Sequence, residues 1–225
     1  TSQHCSSYPG NLPGLATGTT QRIILLRPTE LKILAVLVPT ICGATTALDL
    51  FTGTTRVAQA FKTAGGHVTA VDTARYSEVF ARTWIELDAT TVDQHAIRDA
   101  IDELNALPGE PGYVTQTFCT EARFFQPHNG ERIDAIRDAI QHDHAGTWLE
   151  PILLTSLLLA ADRVDSTTGV QMAYVKRWAP RSYRRLELRP PDLLAGPGRA
   201  VRGDARTLAA TLGSYYVNDF SKYGR

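Results

Sequence analysis

The stretch that most constrains the fold is residues 45–72, where two apolar runs containing an aspartate flank an amphipathic segment. The first run, TTALDLF, has the length and apolar character of a strand buried in a parallel sheet. Residues 54–64 are predicted to be a helix, ended by Gly65 and Gly66. Its apolar positions fall at helical spacing and are Val57, Ala58, Phe61 and Ala64. The second run, HVTAVD, ends at Asp72, so we predict a right-handed strand, helix and parallel strand unit, as in nucleotide-binding sheets.

This unit also predicts where a ligand would bind. Gly53 follows the first strand in a sharp turn and lets a ligand approach the backbone without a β-carbon in the way. Asp72 closes the second strand, where a carboxylate can accept hydrogen bonds from a ribose diol. The same pattern suits a nicotinamide-dependent oxidoreductase, although the usual Gly-x-Gly-x-x-Gly is absent, and it also suits a turn with a purely structural role.

Composition narrows the class of protein. The formal net charge is zero, so any contact with nucleic acid must come from a local patch. Three widely spaced cysteines, without a Cys-x-x-Cys pair or a histidine at ligand spacing, predict a reduced, cytoplasmic protein with no metal site. Charged residues interrupt the most apolar stretch, residues 23–41, and residues 1–20 lack the pattern of a signal peptide, so we expect no membrane span.

The remaining elements follow from apolar spacing and from helix breakers. Residues 1–21 are rich in Gly, Ser, Thr and Pro and are expected to form a disordered tail. Helices are predicted over residues 30–38, 91–107, 130–142, 151–164 and 205–212, and a short strand over residues 200–204. Residues 115–127 are predicted to be a loop rich in aromatic side chains, and residues 190–198 a linker.

Several segments resemble the D12 class of S-adenosylmethionine-dependent DNA adenine-N6 methyltransferases. ALDLFTGTTRVAQAFKTAGGHVTAVD, followed by ARYSEVFARTWI, is similar to the first two motifs of that family. FCTEARFFQPHNGERIDAIRDAI and LLTSLLLAADRVDSTTGVQMAYVKRWAP are similar to its middle region, and VRGDA to its third motif. The resemblance covers about residues 43–213 and implies an α/β fold, a Rossmann-like class I methyltransferase sheet with a largely helical insertion.

The resemblance also implies a division of the chain. Residues 22–90 would be the cofactor-binding part, residues 91–190 a helical insertion for DNA and target recognition, and residues 191–213 a return to the sheet. Residues 214–225 would be a tail of unfamiliar sequence.

By the same resemblance the cofactor is S-adenosylmethionine, and residues of the motif segments would form its pocket. The residues that would line it are Asp49, Phe51, Thr52, Gly53 and Thr54. Asp72 would hold the ribose hydroxyls and Asp204 would meet the adenine ring. Thr55 stands where the family usually has a second glycine, and ILLRPTE stands where it usually opens with Tyr-x-Gly-Ser-Lys, so the methionine end of the cofactor is expected to bind weakly.

A basic segment is the candidate surface for double-stranded DNA. Its bases are Lys176, Arg177, Arg181, Arg184, Arg185, Arg189, Arg199 and Arg202, against the acids Glu187 and Asp192. Such a cluster can neutralise several phosphates, although a solvated basic surface is the plainer alternative. Arg123, Phe124, Phe125 and Asn129 give a second segment the composition for base contacts or stacking, and core packing explains the phenylalanines nearly as well.

The catalytic motif of the family does not occur in this sequence. The family that this chain resembles uses Asp-Pro-Pro-Tyr to accept the N6 hydrogen and to stack the adenine, which must be flipped out of the duplex. Pro190-Pro191 is the nearest match, but it is preceded by Arg189 and followed by Asp192. Because the sequence also departs from the family after residue 213, we expect an incomplete sheet of three strands, through truncation, frameshift or divergence.

The first hypothesis is therefore a methyltransferase by descent that retains part of its cofactor pocket and its DNA-facing insertion and has lost catalysis. The second is a non-catalytic DNA-binding or interaction module, which would use the basic segment without a cofactor. The third and most remote hypothesis is a nicotinamide-dependent oxidoreductase.

Overall fold

The computed structural model describes residues 45–167, 177–211 and 216–218. The predicted tail over residues 1–21, the predicted helix over residues 30–38 and Lys176 lie outside these ranges. The chain divides into two compact units, of which one is Asp93–Asp192 and the other is built from the residues before and after it. Within the described ranges, no helix combines the length and apolarity needed to cross a membrane.

A parallel sheet forms the centre of the first unit. Its strands are β1 (Thr46–Asp49), β2 (His67–Asp72), β3 (Gly198–Arg202) and β4 (Tyr216–Asn218), in the order β3-β2-β1-β4. β1 pairs in parallel with β2 and with β4, and β2 pairs in parallel with β3. The two parallel strands predicted within residues 45–72 are therefore confirmed.

Strand β4 corrects two sequence-based interpretations. Residues 216–218 were expected to belong to a tail, and the sheet was expected to hold three strands, but these residues pair with β1 from Ala47 to Asp49. A strand of this length carries too little periodicity to be predicted from its own sequence. It is formed by pairing with a neighbour that is distant in the chain.

Helices cover both faces of the sheet. Helix α1 (Arg56–Thr63) connects β1 to β2, α2 (Arg75–Ala81) follows β2 and continues into the π-helical turn Arg82–Glu86, and α6 (Ala205–Thr211) follows β3. Ala47 of β1 packs in one core cluster with Ala58 and Phe61 of α1. Its neighbour Leu48 packs in a separate cluster with Val71 and Ala205. Successive strand side chains point to opposite faces, so burial on both sides explains why the strands read as continuous apolar runs.

Lys62 holds the end of the π-helical turn. Its side chain is buried, and its ammonium donates hydrogen bonds to the carbonyl oxygens of Ile85 at 2.8 Å and Leu87 at 2.6 Å. Burial lowers the pKa of Lys62 to about 8, and the charge of Asp88 opposes part of this effect. A charged donor thus satisfies carbonyls that the end of a helix leaves without partners.

The second unit is largely helical. Its helices are α3 (Gln94–Ala106), α4 (Pro127–Asp143) and α5 (Leu149–Val164), with a short 3₁₀ helix at Pro180–Tyr183. The helices predicted over residues 91–107, 130–142 and 151–164 are confirmed with shifted ends. Helix α4 begins three residues earlier than predicted, because Pro127 occupies its first turn, where a proline loses no hydrogen bond. The core lies between these helices and includes Ile97, Ile101, Ile136, Ile140, Ile152, Leu153 and Leu157.

The loop predicted over residues 115–127 is partly wrong, because Thr115–Glu121 is π-helical. The cause is a tertiary contact with Asp134 of α4, whose carboxylate accepts the backbone N–H groups of Gly112 at 2.9 Å and of Val114 and Thr115 at 2.8 Å each. Burial alone would raise the pKa of Asp134, but these hydrogen bonds lower it. A buried anion therefore fixes the start of this segment, and local sequence gives no sign of it.

Candidate functional site

The carboxyl ends of β1, β2 and β3 lie at one edge of the sheet, and the loops that leave them are joined there. The backbone N–H groups of Phe51 and Thr52 each donate to the carbonyl oxygen of Val71 at 3.0 Å. The N–H of Gly203 donates to the carbonyl oxygen of Asp72, also at 3.0 Å. The cofactor residues predicted from sequence all lie on these strand ends and loops, the position at which open α/β sheets bind ligands.

The turn after β1 contains three residues with left-handed backbone. Phe51 has φ 89°, Gly53 φ 50° and Thr55 φ 61°. Only glycine adopts this conformation without cost, and a β-branched threonine is strained there. The structure thus explains why a second glycine suits the position of Thr55. The threonine is retained with its hydroxyl donating to the Thr54 carbonyl at 2.7 Å and accepting from Gln59 at 2.8 Å.

Asp49 and Thr52 form a buried pair beneath this turn. Asp49 is 1% exposed and Thr52 is 7% exposed, and the Thr52 hydroxyl donates to Asp49 Oδ2 at 2.9 Å. Their contacts fix the conformation of the turn from within the protein. Among the predicted pocket residues of the turn, the exposed side chains are those of Phe51 and Thr54.

Asp72 links two of the loops through its carboxylate. Oδ2 accepts the backbone N–H of Gly53 at 2.9 Å, and Oδ1 accepts that of Ala74 at 3.0 Å. A carboxylate oxygen has two lone pairs, so each oxygen that accepts one of these bonds can accept another. The side chain is half-buried at the end of β2, where it can both hold the turn and meet a ligand.

Asp204 is exposed and lies at the start of α6. Its Oδ1 accepts the backbone N–H groups of Arg206 at 2.9 Å and Thr207 at 3.1 Å. Hydrogen bonding from Thr207, followed by that from Arg206, lowers the pKa of Asp204, so the group is ionised at neutral pH. Asp72 and Asp204 therefore place two acceptor groups at the same edge, suited to ligand hydroxyl and amino groups.

The basic residues that sequence grouped together belong to two different units. Arg199 and Arg202 belong to β3 in the first unit, where Arg202 donates to the carbonyl of Thr73 at 3.1 Å and lies 3.9 Å from Glu78. The remaining described bases of the segment belong to Asp93–Asp192. Each set therefore lies within its own unit.

Within the second unit, the predicted DNA-binding arginines differ in their surroundings. Arg181 forms an ion pair with Asp165 and donates to the carbonyl of Thr167 at 2.9 Å, so part of its charge is neutralised. The guanidinium of Arg123 lies 5.1 Å from the centre of the Trp178 ring, a cation–π contact. Arg177, Arg184 and Arg185 are exposed.

Asn129 was predicted to contact DNA, but its side chain is completely buried in α4. Its Nδ2 donates to the carbonyl oxygens of Ser182 at 3.0 Å and Arg184 at 2.8 Å, and its Oδ1 accepts the N–H of Leu186 at 2.8 Å. The geometry leaves it no access to DNA and instead makes it a positioning residue for the basic segment. A sequence gives polar residue types but does not show which side of a helix is buried when a loop packs on it.

Further polar side chains, one buried and one half-buried, continue this arrangement along residues 184–189. Arg132 Nε donates to the carbonyl of Leu186 at 3.1 Å. Asn105 accepts the N–H of Leu188 at 2.8 Å and donates to its carbonyl at 3.0 Å. Sequence reasoning missed these residues, although the alternation of Leu186 and Leu188 with charged residues was a signal for an extended segment with one buried face.

Comparisons with known proteins place this geometry in context. The sequence profile of the family described as D12 class N6 adenine-specific DNA methyltransferase matches residues 31–207. The matched region includes β1, β2, β3 and all the helices of the second unit. No solved structure matches the chain significantly.

Curated relatives agree with the family match. The Type II methyltransferase M.NlaIII of Neisseria lactamica is 31% identical over 150 residues, which is 63% of this chain and 44% of that protein. The Type II methyltransferase M.CviAII of Paramecium bursaria Chlorella virus 1 is 34% identical over 84 residues, 36% of this chain and 26% of that protein. The modification methylase StsI of Streptococcus sanguinis is 30% identical over 159 residues, 63% of this chain and 23% of that protein. The chain thus spans less than half the length of each of these relatives.

Proposed function

Because the chain belongs to the D12 class of N6 adenine-specific DNA methyltransferases, we propose that the carboxyl edge of its sheet binds S-adenosylmethionine and that its helical unit binds double-stranded DNA. The observation that carries the proposal is the joined edge itself, with a left-handed turn at Phe51, Gly53 and Thr55 beside the carboxylates of Asp72 and Asp204. The fold is then the Rossmann-like class I methyltransferase sheet with a helical insertion.

The residues of the edge fit the chemistry of this cofactor. Asp72 has lone pairs left to accept the ribose hydroxyls, and Asp204 can accept the amino group of the adenine ring. The ring of Phe51 is 42% exposed and offers an apolar surface to the same ligand. Two carboxylates also favour a ligand with a positive charge, and S-adenosylmethionine carries a sulfonium together with the methyl group to be transferred.

Substrate class follows from the family, with adenine-N6 as the proposed methyl acceptor. We propose further that this chain, as 225 residues, does not complete the transfer. It contains no Asp-Pro-Pro-Tyr, and the residues after β4 read Asp219-Phe220-Ser221. Without an acceptor for the N6 hydrogen followed by a stacking ring, a bound adenine lacks the groups that the family uses.

Calorimetry with S-adenosylmethionine tests cofactor binding. Wild-type protein should release or absorb heat on titration, and Asp72→Ala should weaken binding at least tenfold because a ribose loses its charged acceptor. Asp99→Ala removes an exposed carboxylate from α3 and is the matched control, expected to bind like wild type. No detectable heat at millimolar cofactor, for a protein shown to be folded by circular dichroism, would refute the cofactor proposal.

A methyl-transfer assay tests the proposed loss of catalysis. We expect no labelled methyl group on duplex DNA after incubation with labelled cofactor. Labelled N6-methyladenine that disappears with Asp72→Ala would show that the chain is an active enzyme.

A non-catalytic DNA-binding module remains the second candidate. It is favoured by the exposed arginines Arg177, Arg184 and Arg185, which lie in the second unit and so do not depend on the sheet. This candidate predicts salt-dependent DNA affinity with no heat from the cofactor. The nicotinamide-dependent oxidoreductase has no support from the family match or from the named relatives.

A further inference from the structure

The second unit carries an open groove that the cofactor proposal does not use. It has a volume of about 600 Å³ and lies between the end of α3 and the start of α4. Residues 106–109 contribute to its lining. The other lining residues, on which the argument depends, are His128, Glu131, Arg132, Tyr183 and Arg185. This volume is within the range of sites for small ligands and single nucleotides.

Tyr183 and Arg185 occupy fixed positions on one wall of the groove. Asn129 hydrogen-bonds the backbone on both sides of them, at Ser182, Arg184 and Leu186. The side chains themselves remain open, and Tyr183 is 64% exposed. An aromatic ring and a guanidinium on a backbone already fixed by buried polar groups lose little conformational entropy when they meet a ligand.

The groove also has an excess of positive charge. Arg132 is buried and gives its donors to the carbonyl oxygens of Asn105, Leu107 and Leu186. Burial lowers the pKa of Arg132, and the nearby positive charge of Arg185 lowers it further.

Arg185 has no carboxylate partner among the described residues, and its nearest acceptor is the carbonyl of Asn105 at 3.4 Å. Among the lining residues Glu131 is the one carboxylate, and His128 adds a further donor at the start of α4. Two guanidinium groups that repel each other beside an exposed ring indicate an anionic ligand with a planar or cyclic part.

We propose that this groove holds one nucleotide of bound DNA, with its phosphate neutralised by Arg185 and its base or sugar packed against the ring of Tyr183. The inference rests on the proposed DNA-binding function and names the residues that would carry it. Phosphate contacts account for sequence-independent affinity, and aromatic side chains supply a stacking surface for any base. Exposed Arg184 lies next to the groove residues in the chain and extends the positive surface outward.

Fluorescence anisotropy with a labelled DNA duplex at several salt concentrations tests this inference. Arg185→Gln should weaken binding about fivefold to tenfold and reduce the slope of log affinity against log salt by about 1, because one phosphate contact is lost. Tyr183→Ala should weaken binding about fivefold or more while leaving that slope unchanged. Arg137→Gln removes the same charge from an exposed position farther along α4 and should stay within about twofold of wild type.

A crosslinking measurement locates the contact independently of affinity. DNA substituted with 5-iododeoxyuridine should photocrosslink to the peptide containing Tyr183, and the crosslink should disappear with Tyr183→Ala. All the substituted side chains are exposed, so thermal unfolding should match wild type in each variant.

The proposal that the groove is a DNA site is refuted if wild-type protein binds the duplex and the Arg185 and Tyr183 variants bind it as tightly as Arg137→Gln does. The proposal is also refuted if the crosslinks map to peptides that do not contain Tyr183. If wild-type protein has no salt-dependent affinity for DNA, both the groove and the proposed DNA partner are wrong. The calorimetric result for S-adenosylmethionine is measured without DNA and reports on the cofactor proposal separately.

Discussion

Substitution of Lys62 gives the most quantitative test of the first unit. Lys62 as a residue is 2% exposed, and its ammonium donates to the carbonyl oxygens of Ile85 and Leu87. Burial lowers its pKa to about 8. In the unfolded chain the pKa returns to its ordinary value of 10.5. Between these values the unfolded chain binds a proton at Lys62 that the folded protein has released, so a rise in pH favours folding.

The size of the effect follows from the two pKa values. Each pH unit between them corresponds to about 1.4 kcal/mol, so the whole interval from about 8 to 10.5 amounts to roughly 3 to 4 kcal/mol of folding free energy. Most of this, roughly 2 to 3 kcal/mol, should be reached by pH 10, and almost none should be present at pH 7. Lys62→Met removes the titrating group while keeping an unbranched side chain of similar length.

Urea unfolding of both proteins from pH 7 to pH 10 measures this contribution as a difference, because the other titrating groups are common to both. Relative to Lys62→Met, wild-type protein should gain roughly 2 to 3 kcal/mol over this range. Lys62→Arg keeps a charged donor that does not titrate in this range, and wild type should gain the same amount relative to it. A difference that stays constant within about 0.5 kcal/mol would show that the buried amine keeps its ordinary pKa.

Two further substitutions test packing and backbone strain. Gly130→Ala should destabilise the protein by about 1–3 kcal/mol, because the added methyl group would overlap the sulfur of Cys119. Adding Cys119→Ala to this variant should restore part of the lost stability, as measured by urea unfolding. Thr55→Gly should change the free energy of unfolding by no more than about 1 kcal/mol, since relief of a φ of 61° offsets the lost contacts. Thr155 is equally buried but lies in the regular helix α5, so Thr155→Gly should lower the free energy of unfolding by about 3 kcal/mol. Equal losses at Thr55 and Thr155 in the same unfolding measurement would argue against strain in the turn.

The unit formed by residues 45–72 could be predicted because its signals are local. Apolar runs give buried strands and a glycine pair ends the helix between them. Gly53 follows the first strand and Asp72 closes the second, so both positions follow from the strand ends. The contact between the Gly53 N–H and the Asp72 carboxylate is the structural counterpart of that pattern. The family resemblance also marked Thr55 as unusual, because the family usually has a glycine there, and its positive φ supplies the physical reason.

Tertiary contacts decided the features that sequence reasoning missed. The start of the π-helical segment Thr115–Glu121 depends on the buried carboxylate of Asp134, which lies 13 residues beyond the segment's last residue. Strand β4 depends on pairing with β1, far away in the chain. In neither case do the residues that adopt the structure contain the group that stabilises it, so a pattern confined to them cannot predict it.

Asn129 and Arg185 show how this limit affects a functional interpretation. Both are polar, both lie in segments with the composition of a DNA surface, and sequence alone assigned both to DNA contact. Burial distinguishes them. The buried side chain of Asn129 makes its hydrogen bonds with the backbone from Ser182 to Leu186, whereas the side chain of Arg185 is exposed and bonds only weakly, to the Asn105 carbonyl. The two residues therefore have different consequences when replaced. Loss of Arg185 should change the salt dependence of DNA affinity, whereas loss of Asn129 should first destabilise the segment that carries Arg185.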